Sequence, residues 1–178
     1  EQKATWLSIG RKLRPDWVFM WGWGVMNQTA IKEAAAVGFP MNKFIGGWWS
    51  GAEPDTRPAG KAAIGYKSAA FHSPGSNFIV HQDIFKHVYG NGNGTTTDEL
   101  VGEVLYNRGL INSVFVSEAI RTAMSKYGNK AMTGEQIRWG FENLNLTNAK
   151  LSKLGLSRFM KPIKITCLNH EGGTPLRI

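Results

Sequence analysis

Asp16-Trp17-Val18-Phe19-Met20-Trp21-Gly22-Trp23-Gly24 is the stretch on which the fold turns. Residues 16–20 form a short apolar run of the kind that makes a fully buried strand, and the two glycines make a turn. Met26, Ala30, Ile31, Ala34 and Ala35 then recur at helical spacing. Gly38 and Pro40 stop that helix, because glycine closes a helix C-terminus and proline cannot continue one. Lys43-Phe44-Ile45-Gly46 reads as a second buried strand. Strand, glycine turn, helix, strand is a βαβ unit. It requires a parallel sheet with a right-handed crossover, and such sheets bind ligands where strand C-termini meet helix N-termini.

Upstream, Trp6, Ile9 and Leu13 share a helical face that stops at Arg14-Pro15, since a residue before proline is pushed out of the α region. Downstream of a proline-containing loop at 50–59, residues 64–71 are predicted as a third strand. Ser73-Pro74-Gly75 turns the chain into a helix over 77–89, striped by Val80, Ile84 and Val88. Gly90-Asn91-Gly92-Asn93-Gly94, followed by three threonines, reads as a linker or hinge. Thr97, Asp98 and Glu99 open a long helix through Leu100, Val104, Ile111, Phe115, Ala119 and Met124 to Tyr127-Gly128, with a bend expected at Gly109. Thr133 and Gln136 fit a capping box, opening a helix that carries Ile137, Phe141 and Leu144 on one face. The tail alternates through Ile163, Ile165 and Cys167, turns at 169–173 and ends in a strand. No internal repeat is present.

Of 178 residues, 42% are hydrophobic and 19% charged, enough to bury a core and too few charges for a disordered polyelectrolyte. The longest apolar run, around 17–26, is about ten residues broken by glycines, whereas a membrane span needs roughly twenty. Glu1-Gln2-Lys3-Ala4 lacks a secretory layout, so the chain is read as mature, cytoplasmic or cut from something longer. The single Cys167 excludes an internal disulfide framework and a multi-cysteine metal site.

Several chemistries fail on spacing. Gly22-x-Gly24 follows a strand as a dinucleotide fingerprint would, but Asn27 holds the third glycine position, Trp23 is bulky and no acid ends the next strand. Gly60-Lys61 has no glycine five residues upstream, and Ala62 stands where a hydroxyl should bind magnesium. His81 and His87 are six apart and do not share a helix face, while Asp83 and His87 are placed for a solvent-side pair. Cys167 and His170 are neighbours, yet alternation would bury the thiol in a sheet. Nucleophile, base and orienting group nowhere fall together, so the chain reads as a non-enzyme with neither cofactor nor metal.

Two features favour binding. The net charge is +8, and Lys150, Lys153, Arg158, Lys161 and Lys164 form a basic stretch around Phe159. That stretch is a solvated face or, as the alternative function, a nucleic-acid patch. The second feature is four of the seven tryptophans in two pairs: Trp21 and Trp23 end one predicted strand, Trp48 and Trp49 follow the next. Parallel pairing brings these ends together, so four indoles converge beside the backbone N–H groups of Gly24 to Asn27, which can receive an anion such as a carboxylate.

These residues resemble a known family. Asp16 to Gly24, the helix end Ala36-Val37-Gly38 and Phe44-Ile45-Gly46-Gly47 look like the second lobe of the periplasmic solute-binding proteins of branched-chain amino acid ABC transporters, the Leu/Ile/Val-binding type. Tyr106-Asn107-Arg108-Gly109, Glu118-Ala119-Ile120 and Asn169-His170-Glu171-Gly172-Gly173 extend the likeness over essentially the whole chain. The resemblance implies the C-terminal half of a type I periplasmic binding protein. Its fold would be α/β, an incomplete parallel-sheet Rossmann-like lobe with helices that belong to the first lobe.

On that reading, residues 1–90 are a second-lobe segment, 91–97 the hinge, 98–160 a helical segment of the first lobe and 161–178 the return strands. The N-terminal lobe and the second lobe's opening strands would be missing, leaving unpaired sheet positions. Trp23, Gly24, Val25, Trp48 and Trp49 would hold ligand, with Trp21, Glu53 and Tyr106 completing the candidate set. The implied partners are a small solute and ABC permease subunits in the periplasm or outside the cell, with no nucleic acid; a sensing receptor domain would use the same pocket. Family members carry a carboxylate near Trp48 for the ligand ammonium. An indole stands there in this chain, and Glu53 is the nearest acid downstream. An apolar or aromatic carboxylate, or a cation on indole faces, therefore fits as well as an amino acid. Alone, the chain is expected to bind weakly and to self-associate through faces around Leu105, Val114 and Phe115.

Overall fold

β1 (Val18–Met20), β2 (Phe44–Gly46) and β3 (Lys67–Ser68) form a parallel sheet in that order, with Val18 opposite Phe44 and Ile45 opposite Lys67. The computed structural model describes residues 2–173 and 176–178, which fall into two compact units, 2–70 with 176–178 and 71–173. In the first unit α1 (Lys3–Ser8) runs on as a π-helical turn over Ile9–Leu13 and ends at Arg14, whose φ of 45° is left-handed. α2 (Val25–Ala36) is the crossover between β1 and β2. Its stripe of Ala30, Ile31 and Ala34 packs with Trp6, Phe39 and Phe44, all buried. Phe44 is the centre, with the Trp6 and Tyr66 rings each 5.0 Å away. Burying an aromatic of this kind is worth about 3–5 kcal/mol against alanine.

The βαβ unit is present, but β1 is not fully buried. Val18 and Met20 pack on the core, while Phe19 between them is 76% exposed. Side chains alternate across a strand, and only one face of this edge strand is covered. The third strand pairs only over Lys67–Ser68. The expected terminal strand is reduced to an antiparallel bridge, Ala70 with Arg177, and residues 174–175 of that run lie outside the described residues.

The second unit contains α4 (Ile79–His87), α5 (Val104–Tyr127), α6 (Gly134–Glu142), α7 (Asn148–Lys153) and an antiparallel ladder of β4 (Asn145–Leu146) with β5 (Ile163–Lys164). Its core is Ile111, Leu144, Leu146, Leu151, Leu156, Phe159, Met160 and Ile163. α5 and α6 approach closely at Gly140, where a Cβ would run into the Ala119 carbonyl oxygen. The capping box forms as the spacing predicts: Gln136 N–H donates to Thr133 Oγ1 and Thr133 N–H to Gln136 Oε1.

Three further expectations need correction. The long helix starts at Val104 rather than Thr97, because Gly102 takes a φ of +98° after a single turn at Asp98–Leu100. Cys167 is exposed, since β5 ends at Lys164 and a tight turn closed between Thr166 and Asn169 carries the thiol outward. Val114 and Phe115 are partly buried against the unit's own core, on the side of Ile111, and only Leu105 of that trio is exposed.

Candidate ligand-binding site

β1 and β2 end in adjacent loops because Gly47 N–H donates to the Met20 carbonyl at 2.7 Å, one rung beyond the strands. Gly24 turns the first loop into α2 with φ 58° and ψ −141°, a conformation open to glycine and strained for other residues. α3 (Glu53–Thr56) follows the second loop.

A buried polar network locks the two loops. Asn27, in the first turn of α2, is fully buried, and its Nδ2 donates to the Trp49 carbonyl and to Asp55 Oδ1, both at 2.9 Å. Asp55 Oδ2 accepts from Ala52 N–H at 3.1 Å. Ser50 Oγ donates to the Gly22 carbonyl at 2.7 Å, and the Tyr66 hydroxyl donates to the Ser50 carbonyl at 2.7 Å. Gly22 is required by close approach: a Cβ there would sit 2.6 Å from Asn27 Oδ1. Burial first, and the Asp55 carboxylate second, push the Tyr66 phenol well above its ordinary range, so it stays a neutral donor.

Above this network the indoles are open. Trp21 is 73% exposed, Trp23 61% and Trp49 45%. Trp21 and Trp49 stand edge to face, centroids 5.6 Å apart and planes at 82°, and Trp48 leans on Trp49 at 5.5 Å. The structure thus brings Trp21, Trp48 and Trp49 together, with Trp23, Gly24 and Val25 exposed on the same turn. Glu53 opens α3, half-buried and engaged in its own interaction. Tyr106 lies in the second unit, its ring 6.5 Å from His81, and burial followed by its neighbour Tyr89 raises its phenol.

Sequence reasoning missed Asn27, Ser50, Asp55 and Tyr66. Asn27 stands where the fingerprint lacked a glycine, and the usable signal was a polar side chain next to an otherwise apolar helical stripe.

The second unit has polar networks of its own. Asn107 Nδ2 donates to the carbonyls of Ser73, Gly75 and Gly102, so its Oδ1 is the acceptor, 2.7 Å from His81 Nε2. His81 therefore carries its hydrogen on Nε2. Buried Glu118 is held by Arg121 and by Lys150 at 3.1 Å, which withdraws one lysine from the basic stretch. His170 pairs with Glu142 at 3.3 Å, and Arg138 holds the Glu142 carboxyl below the usual carboxylate range. A cleft of about 590 Å³ between Trp139, Asn145, Lys164 and Cys167 contains none of the candidate residues. Among the described residues no group of three His, Cys, Asp or Glu is placed to hold a metal, and no helix is long and apolar enough to cross a membrane.

No protein-family model and no curated protein matches the chain. Among solved structures it is similar to an ABC transporter permease from the Pseudomonas fluorescens group, with TM-score 0.93 and 39% identity over 99% of this chain and 43% of that one. It is also similar to an ABC transporter substrate-binding protein from Aeropyrum pernix, with TM-score 0.68 and 16% identity over 98% of this chain and 44% of that one. The chain spans less than half the length of each, and the second likeness speaks to fold alone. The parallel sheet, its crossover helix and these two likenesses identify the fold as that of part of a substrate-binding protein associated with ABC transporters.

Proposed function

We propose that the chain is part of the extracytoplasmic solute-binding component of an ABC importer of the branched-chain amino acid type, working without catalysis alongside permease subunits. The solute is a small organic molecule, amino-acid-like or an aromatic or apolar carboxylate, taken on Trp21, Trp23, Gly24, Val25, Trp48 and Trp49. Glu53 is a further proposed member of the site. The assignment of 1–90 and 161–178 to one lobe, 98–160 to the other and 91–97 to the hinge belongs to the same proposal.

One observation carries the reading. Exposed indoles sit on loops whose backbone is fixed by a buried polar network, the pairing of open contact surface with preorganised support that binding needs. A sensing receptor would use the same site, and neighbouring genes for permease and ATPase subunits would distinguish transport from sensing. The test is a titration with amino acids and aromatic acids, followed by tryptophan fluorescence in the parent, Trp21→Ala, Trp23→Ala and Trp49→Ala. A response in the parent that the variants lose is expected, weaker than that of a whole two-lobed protein by a factor on the order of a thousand where a few kcal/mol of contacts are missing. Silence toward every solute, with variants indistinguishable from the parent, refutes the reading.

A further inference from the structure

We infer that the solute on this platform is a planar aromatic molecule without an α-ammonium group; the inference rests on the solute-binding reading and narrows its ligand class. Trp21 and Trp49 meet at 82° with centroids 5.6 Å apart, so their faces bound a right-angled corner. A flat ring stacked on one indole presents its positive edge to the negative face of the other, and both contacts are favourable for an aromatic quadrupole. A branched aliphatic chain in the same corner gains burial alone. Trp48, 5.5 Å from Trp49, extends the indole wall.

The acids around the corner decide the second half of the inference. An amino acid needs a carboxylate for its ammonium, because a charge taken out of water unpaired is costly. Asp55 is buried, and each of its oxygens already accepts a hydrogen bond, Oδ1 from Asn27 Nδ2 and Oδ2 from Ala52 N–H. Glu53 has its own partner. The open surface an incoming ammonium would meet in this corner is indole, and cation–π attraction at exposed rings is weaker compensation than a carboxylate.

Matched probes test this on the chain itself. 3-Phenylpropanoate is phenylalanine without its ammonium, and 3-cyclohexylpropanoate is the same acid with a saturated ring; tetramethylammonium is the cationic control. Binding is read from indole Nε1–H shifts by NMR and confirmed by calorimetry. The expected result is 3-phenylpropanoate binding about tenfold tighter than L-phenylalanine and than the cyclohexyl acid. Trp21→Ala and Trp49→Ala should lose the phenyl-over-cyclohexyl preference, and Trp139→Ala, in the second unit, should keep it. Both altered site residues are exposed, and circular dichroism verifies that the variants fold. Equal binding of the saturated acid, or tighter binding of L-phenylalanine, overturns the inference. Shifts induced by L-leucine or tetramethylammonium with the aromatic acids silent overturn it while leaving solute binding intact; if no probe shifts any indole, both fall.

Discussion

Asn27→Ala removes two hydrogen bonds from a site without water access, Nδ2 to Asp55 Oδ1 and Nδ2 to the Trp49 carbonyl, each 2.9 Å. The first has a carboxylate acceptor and is worth about 1.5–3 kcal/mol, and the second, between neutral groups, about 1 kcal/mol. Asp55 is left buried with one oxygen unpaired, so the loss should total about 3–4 kcal/mol. With a urea dependence of about 2 kcal/mol/M, the midpoint falls by roughly 1.5–2 M. Tryptophan emission suits the assay because six of the seven indoles, all but Trp139, belong to the first unit. The mechanism is isolated by a double-mutant cycle with Asp55→Ala: once either partner is gone the other matters less, giving a coupling of about 2 kcal/mol. Hydrogen exchange at the 49–52 amides should accelerate in the same variants. A midpoint shift below about 0.5 M, or strictly additive single mutants, would show that the loops are held by something other than this network.

Other substitutions probe the same architecture. Tyr66→Phe keeps the ring on Phe44 but loses the bond to the Ser50 carbonyl, at a cost of about 1 kcal/mol at neutral pH. Because the folded phenol is raised above its unfolded value, its contribution is fully present below about pH 10 and lost as pH rises toward the folded value. The parent's stability should therefore fall above pH 10 more steeply than the variant's, and superimposable alkaline limbs would contradict the burial argument. Gly22→Ala places a methyl 2.6 Å from Asn27 Oδ1, and should lower stability by about 1–3 kcal/mol in chemical unfolding, an effect relieved in the Asn27→Ala background. Thr133→Ala removes the α6 cap and should cost about 1 kcal/mol, read in the far-ultraviolet transition of the second unit.

The sequence was most legible where a local signal and a tertiary constraint agreed. The strand, glycine turn and helix over 16–36 form because two short apolar runs flank an amphipathic stripe, and the capping box at Thr133 needs only residues within one turn. Exposure was not legible in the same way. A run such as Val18-Phe19-Met20 has apolar side chains on both faces, so periodicity cannot say that one face stays open; that depends on which elements arrive to cover it. Cys167 is exposed for the converse reason: strand alternation stops at Lys164, and the chain enters a turn closed by Thr166 and Asn169 that local periodicity does not mark. Of the site, the indoles were readable as an anomaly of composition. Asp55 and Tyr66 were not, because each acts through a partner at least 16 residues away, and no window of sequence shows that distance closing.

The placement of the polar groups separates a binding surface from leftover apolar surface. A chain under selection for stability alone would bury its large indoles and leave its amides and carboxylates in water, since a buried indole contributes area and a buried carboxylate must be fully paired. The first unit does the reverse at one end of its sheet. Asn27 and Ser50 are fully buried and Asp55 nearly so, while Trp21, Trp23 and Trp49 project. The bonds from Asn27 and Ser50 end on the backbone of the indole-bearing loops, at the Trp49 and Gly22 carbonyls, and the Asp55 bonds tie Asn27 to Ala52. The network therefore fixes the backbone from which the rings start, which reduces the ordering entropy a solute must offset on binding. Phe19, comparably exposed on the edge strand β1, is a different kind of surface: it stands within the ladder, opposite Ile45, and what it offers is sheet edge.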